Sequence, residues 1–88
     1  MAATSRITIS DDGYTELSDG AATVQVFVIG GGVSPVDLIV ATSEPASDAA
    51  GHFTIATGQA WPFYNLGESD KVYAKSRGGS RSLGVYTS

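Results

Sequence analysis

Cysteine is missing from this 88-residue sequence, and histidine, tryptophan and methionine occur once each. Without cysteine there is no disulfide framework and no thiolate metal site, and a lone imidazole, His52, does not make a histidine-rich metal centre. Basic residues are scarce: five Lys and Arg stand against nine Asp and Glu, for a net charge of −4. A surface built to neutralise nucleic-acid phosphates needs the opposite balance, so nucleic acid is not an expected partner. Long apolar runs are lacking too. The longest nearly apolar stretch, residues 24–32, is interrupted by Gln25 and falls well short of the ~20 residues of a membrane-spanning helix. Residues 1–10 hold no apolar core of signal-peptide length, so no membrane partner is expected and assembly in a cytoplasm is.

Helical spacing is nearly absent as well. Apolar and β-branched residues instead alternate over short runs that Gly, Pro, Asp and Ser interrupt, which is the pattern of half-buried strands. Ile7 and Ile9 share one face of a first strand, the Asp11-Asp12-Gly13 turn follows, and residues 14–17 resume as a short strand that Ser18-Asp19-Gly20 ends. Residues 22–29 carry Val24, Val26 and Val28 on one face and Gln25, Phe27 and Ile29 on the other, so this strand is expected at the centre of a sheet with both faces partly covered. After Pro35, residues 36–40 bury Val36, Leu38 and Val40, and the Ser-, Ala- and Asp-rich residues 42–51 form a loop. Residues 53–56 are a further strand, and Pro62 assigns the aromatic stretch 61–66 to an edge or a bulge. Residues 71–76 and 82–87 flank Arg77-Gly78-Gly79-Ser80-Arg81 and are expected to pair as a hairpin. The expectation is an all-β chain, a single domain over residues 1–88 with 1–5 as a flexible arm. Its seven or eight short strands form a small antiparallel β-sandwich or barrel. A core this small leaves stability marginal, and with disulfides and metals excluded, partner subunits are the natural supplement.

Candidate sites are few. Val28-Ile29-Gly30-Gly31-Gly32 has the look of a phosphate loop, but Pro35 and a second strand follow where the chemistry requires a helix N-terminus. His52 has only Asp48 and Ser47 nearby, in its own loop, whereas the members of a nucleophilic triad converge from separate elements. Asp11 and Asp12, like Glu68 and Asp70, sit in turns that explain them, and Asp11, Asp12 and Glu16 match no calcium-loop pattern. No catalytic residue, metal or cofactor is therefore assigned. Two features point to partner contact. Trp61, Phe63 and Tyr64 are open to three roles: core, a contact between subunits, or a sugar-stacking platform. Charge is also uneven, because residues 1–70 hold every acid and only Arg6, whereas residues 71–88 hold Lys71, Lys75, Arg77 and Arg81 and no acid. Either the second segment is a solvated strand pair, or Lys75, Arg77 and Arg81 mark a basic edge that meets an acidic surface.

The order of elements resembles that of small accessory proteins of tailed-bacteriophage virions. The likeness lies in the valine-rich strand 23–29, the glycine turn 30–32, Pro-Val-Asp-Leu-Ile-Val at 35–40 and the small-residue loop 42–51. It continues through Gly-His-Phe-Thr-Ile-Ala-Thr-Gly at 51–58 and residues 72–85. Trp61-Pro62-Phe63-Tyr64 departs from that pattern in being unusually aromatic. The resemblance implies a non-enzymatic virion protein that decorates or cements a capsid, or belongs to a head fibre, neck or tail. Its partners would be the major capsid protein or other virion subunits, and it would form a homo-oligomer such as a trimer. The alternative is a carbohydrate- or host-surface-binding module of a phage fibre or tail, with Trp61 and Tyr64 as stacking rings.

Overall fold

Eight strands follow from the alternating pattern: β1 (Ala3–Ile9), β2 (Thr15–Asp19), β3 (Val24–Gly30), β4 (Val36–Ala41), β5 (Phe53–Ile55), β6 (Ala60–Phe63), β7 (Lys71–Ser76) and β8 (Arg81–Thr87). The structure is a computed structural model that describes residues 3–30, 34–51, 53–56 and 58–88. Gly31, Gly32, His52 and Thr57, which entered the sequence readings of the glycine turn and the histidine loop, lie outside the described residues. Residues 3–5 belong to β1 and are paired with β8, so the arm expected over residues 1–5 is a strand from Ala3 onward.

Pairing is nested. β1 runs antiparallel to β8, β2 to β7, β3 to β6 and β4 to β5, so the chain is in effect one long ribbon doubled back on itself. Further pairing of β8 with β3 and of β7 with β4 rolls the ribbon into two four-stranded sheets. Sheet A has the order β1-β8-β3-β6 and sheet B the order β2-β7-β4-β5. This is the strand order of a jelly roll, an all-β sandwich of two Greek keys. No helix of the described residues is long and apolar enough to cross a membrane.

Between the sheets lies a core of mostly β-branched side chains. Val24, Val26 and Val28 of β3 and Leu83 and Val85 of β8 face Val36 and Leu38 of β4 and Val72 and Ala74 of β7, and none is more than 3% exposed. Each fully buried valine or leucine contributes roughly 1.5–3 kcal/mol relative to an exposed one. Short branched side chains also suit two sheets that pack about 10 Å apart.

The hairpin expected across residues 77–81 does not form. β7 lies between β2 and β4 in sheet B, and β8 lies between β1 and β3 in sheet A, so the segment is a corner between sheets. Its glycines serve that corner. Gly79 has φ +67°, and a side chain on Gly78 would meet the Ser34 hydroxyl at 2.7 Å. Asp11 Oδ2 accepts the Gly79 amide at 3.2 Å, Ser76 Oγ accepts the Gly78 amide at 3.1 Å, and the Arg81 guanidinium donates to the Ser34 carbonyl. The local signal was sound for a reversal; what it lacked was the competition for pairing partners.

Residues 42–51 form the expected loop, which folds back over the outside of sheet B. Ala49 packs against Tyr14, Ile39 and Tyr73, and the Tyr14 hydroxyl donates to the Ala49 carbonyl at 2.7 Å. Where the loop returns, Gly51 lies so close to β4 that a Cβ there would stand 2.4 Å from the Asp37 Cβ. Gly51→Ala is therefore expected to lower stability by about 1–3 kcal/mol, the cost of forced overpacking. A urea melt checks this, and an unchanged midpoint would show that the loop does not rest on the sheet.

Candidate interaction face

The two outer faces of the sandwich are unlike. On sheet B the outward residues are tied up among themselves and beneath the loop. Asp37, on β4, has a side chain only 10% exposed; its Oδ1 accepts Thr54 Oγ1 at 3.0 Å and Arg77 Nη2 at 3.0 Å, and Arg77 Nε reaches Oδ1 and Oδ2 at 3.1 and 3.2 Å. Such a forked contact satisfies a carboxylate that burial would otherwise penalise. The Arg77 guanidinium is held charged above its ordinary pKa, first by its hydrogen bond to Asp37 and then by that carboxylate's charge. At the other end of the face Lys71 pairs with Glu16 at 3.7 Å.

Among the described residues, sheet A has no comparable cover. Register places Arg6 of β1, Gly84 of β8, Phe27 of β3 and Ala60 of β6 in one outward row, with Thr4, Tyr86, Gln25 and Pro62 in the next. Gly84 makes room for its neighbours on β3, because a Cβ there would stand 3.3 Å from Ile29 Cδ1 and 3.8 Å from Phe27 Cβ. Ile29 shares this side with Phe27 by strand alternation, and the register with β8 shifts between Val28 and Gly30. Phe27 is 43% exposed, Ile29 47%, Trp61 37% and Tyr64 61%. These four large exposed hydrophobic residues all belong to β3, to β6 or to the residue that follows β6. Of the four, Phe27 and Ile29 adjoin each other over Gly84 on the outer face of sheet A, and adjoining exposed apolar side chains mark an interaction site more often than scattered single residues do.

Of the six residues singled out in the sequence, the structure does not make one surface. Phe63 is 7% exposed and packs edge-on against Phe53 at 5.5 Å, so it belongs to the core. Trp61 points inward from edge strand β6, as Pro62 led one to expect of this stretch, and stacks on Phe53 at 5.0 Å. Its ring forms one wall of an open cleft of ≈ 300 Å³ lined by Thr54, Ile55, Gln59, Ala60 and Trp61. Tyr64 is exposed. The basic residues do not form an edge. β7 and β8 are interior strands, Arg77 is bound to Asp37, Lys71 to Glu16, and Arg81 is 1% exposed beneath the corner. Lys75 stands across from Asp37 on sheet B. Sequence reasoning missed Phe27 and Ile29. Their alternation with the buried valines indicated a strand apolar on both sides, and only the missing cover over sheet A shows that one side is open.

Among the described residues no group of three or more His, Cys, Asp or Glu side chains is placed to hold a metal. Fold and face together define a small jelly-roll domain with one sheet tied up by its own loop and the other presenting an apolar surface that none of the described residues covers. No family model, no curated protein and no solved structure matches this chain.

Tyr14 provides a check on the covered face. Its pKa is raised above 10.0, chiefly by burial and next by the Asp37 charge, while Arg77 acts the other way. The folded state thus holds the phenol proton more tightly than the unfolded chain does. Stability is unaffected by this group below pH ~10 and falls as pH rises beyond it, until the folded phenol also ionises. Tyr14→Phe should cost about 0.5–1.5 kcal/mol at neutral pH through the lost hydrogen bond to Ala49. The same variant should lose stability less steeply than the wild type above pH ~10 in denaturant melts.

Proposed function

We propose that this protein is a non-enzymatic structural subunit of a tailed-phage virion, most simply a decoration or cement protein that binds capsid subunits and stabilises the particle. The observation that carries the reading is the outer face of sheet A, where Phe27 and Ile29 flank Gly84 and stay exposed, with none of the described residues packed over them. Burying that face against a neighbour removes apolar surface from water, and the same contact repeated by symmetry over a shell raises the work needed to separate its subunits. Support for the virion setting comes from the resemblance in strand order and from the jelly-roll topology, which viral capsid domains use. Fold alone does not carry function, so the weight rests on the face.

A second reading is favoured by the cleft beside Trp61. Jelly rolls also include lectin domains, and an aromatic wall with the Gln59 side-chain amide beside it is suited to stacking and hydrogen-bonding a sugar. Trp61 would act there with Phe53, not with Tyr64, because Trp61 points inward from β6.

Mass spectrometry of purified particles should find the protein in many copies, and its absence would remove the virion reading. Phe27→Ser should weaken the affinity for particles about 30-fold or more, the effect of losing an interfacial anchor worth ~2 kcal/mol, with the β-sheet circular dichroism unchanged. Undiminished affinity in this variant would exclude the sheet A face. Binding on a glycan array that Trp61→Ala abolishes, with particle occupancy intact, would establish the second reading instead.

A further inference from the structure

We propose that the free edge of β1 is where a second copy of this chain adds, strand to strand and antiparallel, so that two A sheets become one continuous sheet. This does not depend on the virion setting. A strand edge offers unpaired amides and carbonyls, and the chemistry that fits them is another extended backbone. The sandwich has four such edges, and three carry devices that obstruct pairing. β2 is broken by a register shift between Glu16 and Ser18, β5 has only three residues, and β6 has four with Pro62 among them. β1 differs. It runs seven residues, matches β8 one for one from Ala3 to Ile9 with no register shift, and is mostly exposed.

Why a second copy fits can be read from the pattern of β1 itself. Ile7 and Ile9 face inward beside Leu83 and Arg81, while Thr4, Arg6 and Thr8 face outward beside Tyr86, Gly84 and Ser82. An antiparallel copy turned about Ser5, or about Ile7, keeps this inward and outward alternation across the join. In the first register Arg6 lies opposite the second copy's Thr4, and in the second opposite its Thr8, so the two arginines are never directly paired. Charge favours the same place. The chain carries nine acids at a net charge of −4, yet none lies on any of the four strands of sheet A. Two copies meeting along this edge thus bring together sheets free of acidic side chains, which sheet B, with Glu16, Asp19 and Asp37 on its strands, does not offer. Area adds a third argument. One A sheet presents roughly 400 Å² by strand spacing and rise, below the ~800 Å² per partner of a stable interface, and the joined sheet doubles it.

Sedimentation of the wild-type chain from low micromolar to submillimolar concentration should show twice the single-chain mass. Ser5→Lys places an inward-pointing charge on the edge and should return the mass to that of one chain while the circular dichroism stays that of a β-sheet. Because the protein has no cysteine, single-cysteine variants report the contact independently of that substitution. Under mild oxidation Ser5→Cys or Ile7→Cys should give a disulfide-linked dimer, according to which residue lies on the two-fold axis, and Phe27→Cys should not. A wild-type chain of single mass throughout, a folded Ser5→Lys variant that remains dimeric, or cross-linking through Phe27→Cys with none through residues 5 and 7 would each overturn the proposal. The last result would place the second copy on the outer face of sheet A.

Discussion

The seam between the two sheets is the interaction on which everything else in this molecule rests. Its residues are small and branched, drawn from strands far apart in the chain, and no disulfide is available to hold them. Because the pairing is nested, the first strand finds its partner in the last and the second in the seventh, so each sheet draws its strands from both ends of the sequence. Loop closure over such separations costs entropy before the core repays it, which makes folding a concerted event. The two most deeply buried polar side chains, Ser76 and Arg81, are placed where the ribbon turns its corner. Arg81 donates to the Ser34 carbonyl, and Ser76 Oγ takes the Gly78 amide, so both anchor the crossing from sheet B to sheet A.

From that seam follows the difference between the outer faces. β4 and β5 are neighbours in sheet B, and the loop joining them is long enough to fold back across β4, with Gly51 allowing its backbone to rest on Asp37. Tyr14, Ile39 and Tyr73 are sheltered by it, and Asp37, which would be costly to bury alone, is matched by Arg77 and Thr54. Sheet A receives no such strap among the described residues. The acids collect on sheet B and in the turns, whereas the sheet A strands carry no acid and keep an apolar outward stripe at Phe27 and Ile29. A domain arranged in this way has one side that is finished and one that is suited to contact.

Much of this was legible residue by residue. Val24, Val26 and Val28 alternate with polar or larger partners and form the buried side of an interior strand, as their period of two implies. Pro62 removes a ladder donor, and β6 is indeed an edge strand. The loop over residues 42–51 was evident from composition, but its docking was not, since nothing in a run of Ser, Ala and Asp says which surface will lie beneath it. Gly78 and Gly79 announced a reversal without saying whether the chain would return to the same sheet. The aromatic and basic residues were the least legible, because burial of Phe63 and Arg81, pairing of Arg77 and exposure of Phe27 are all set by neighbours remote in sequence.

By itself, then, the sequence determined that this chain makes short strands around a single core, because alternation and turn chemistry are properties of a few adjacent residues. Tertiary structure decided which strands share a sheet, which outer face is covered and which charges remain at the surface. Those outcomes depend on contacts between residues dozens of positions apart, and a local pattern carries no information about a partner that only the folded ribbon brings alongside.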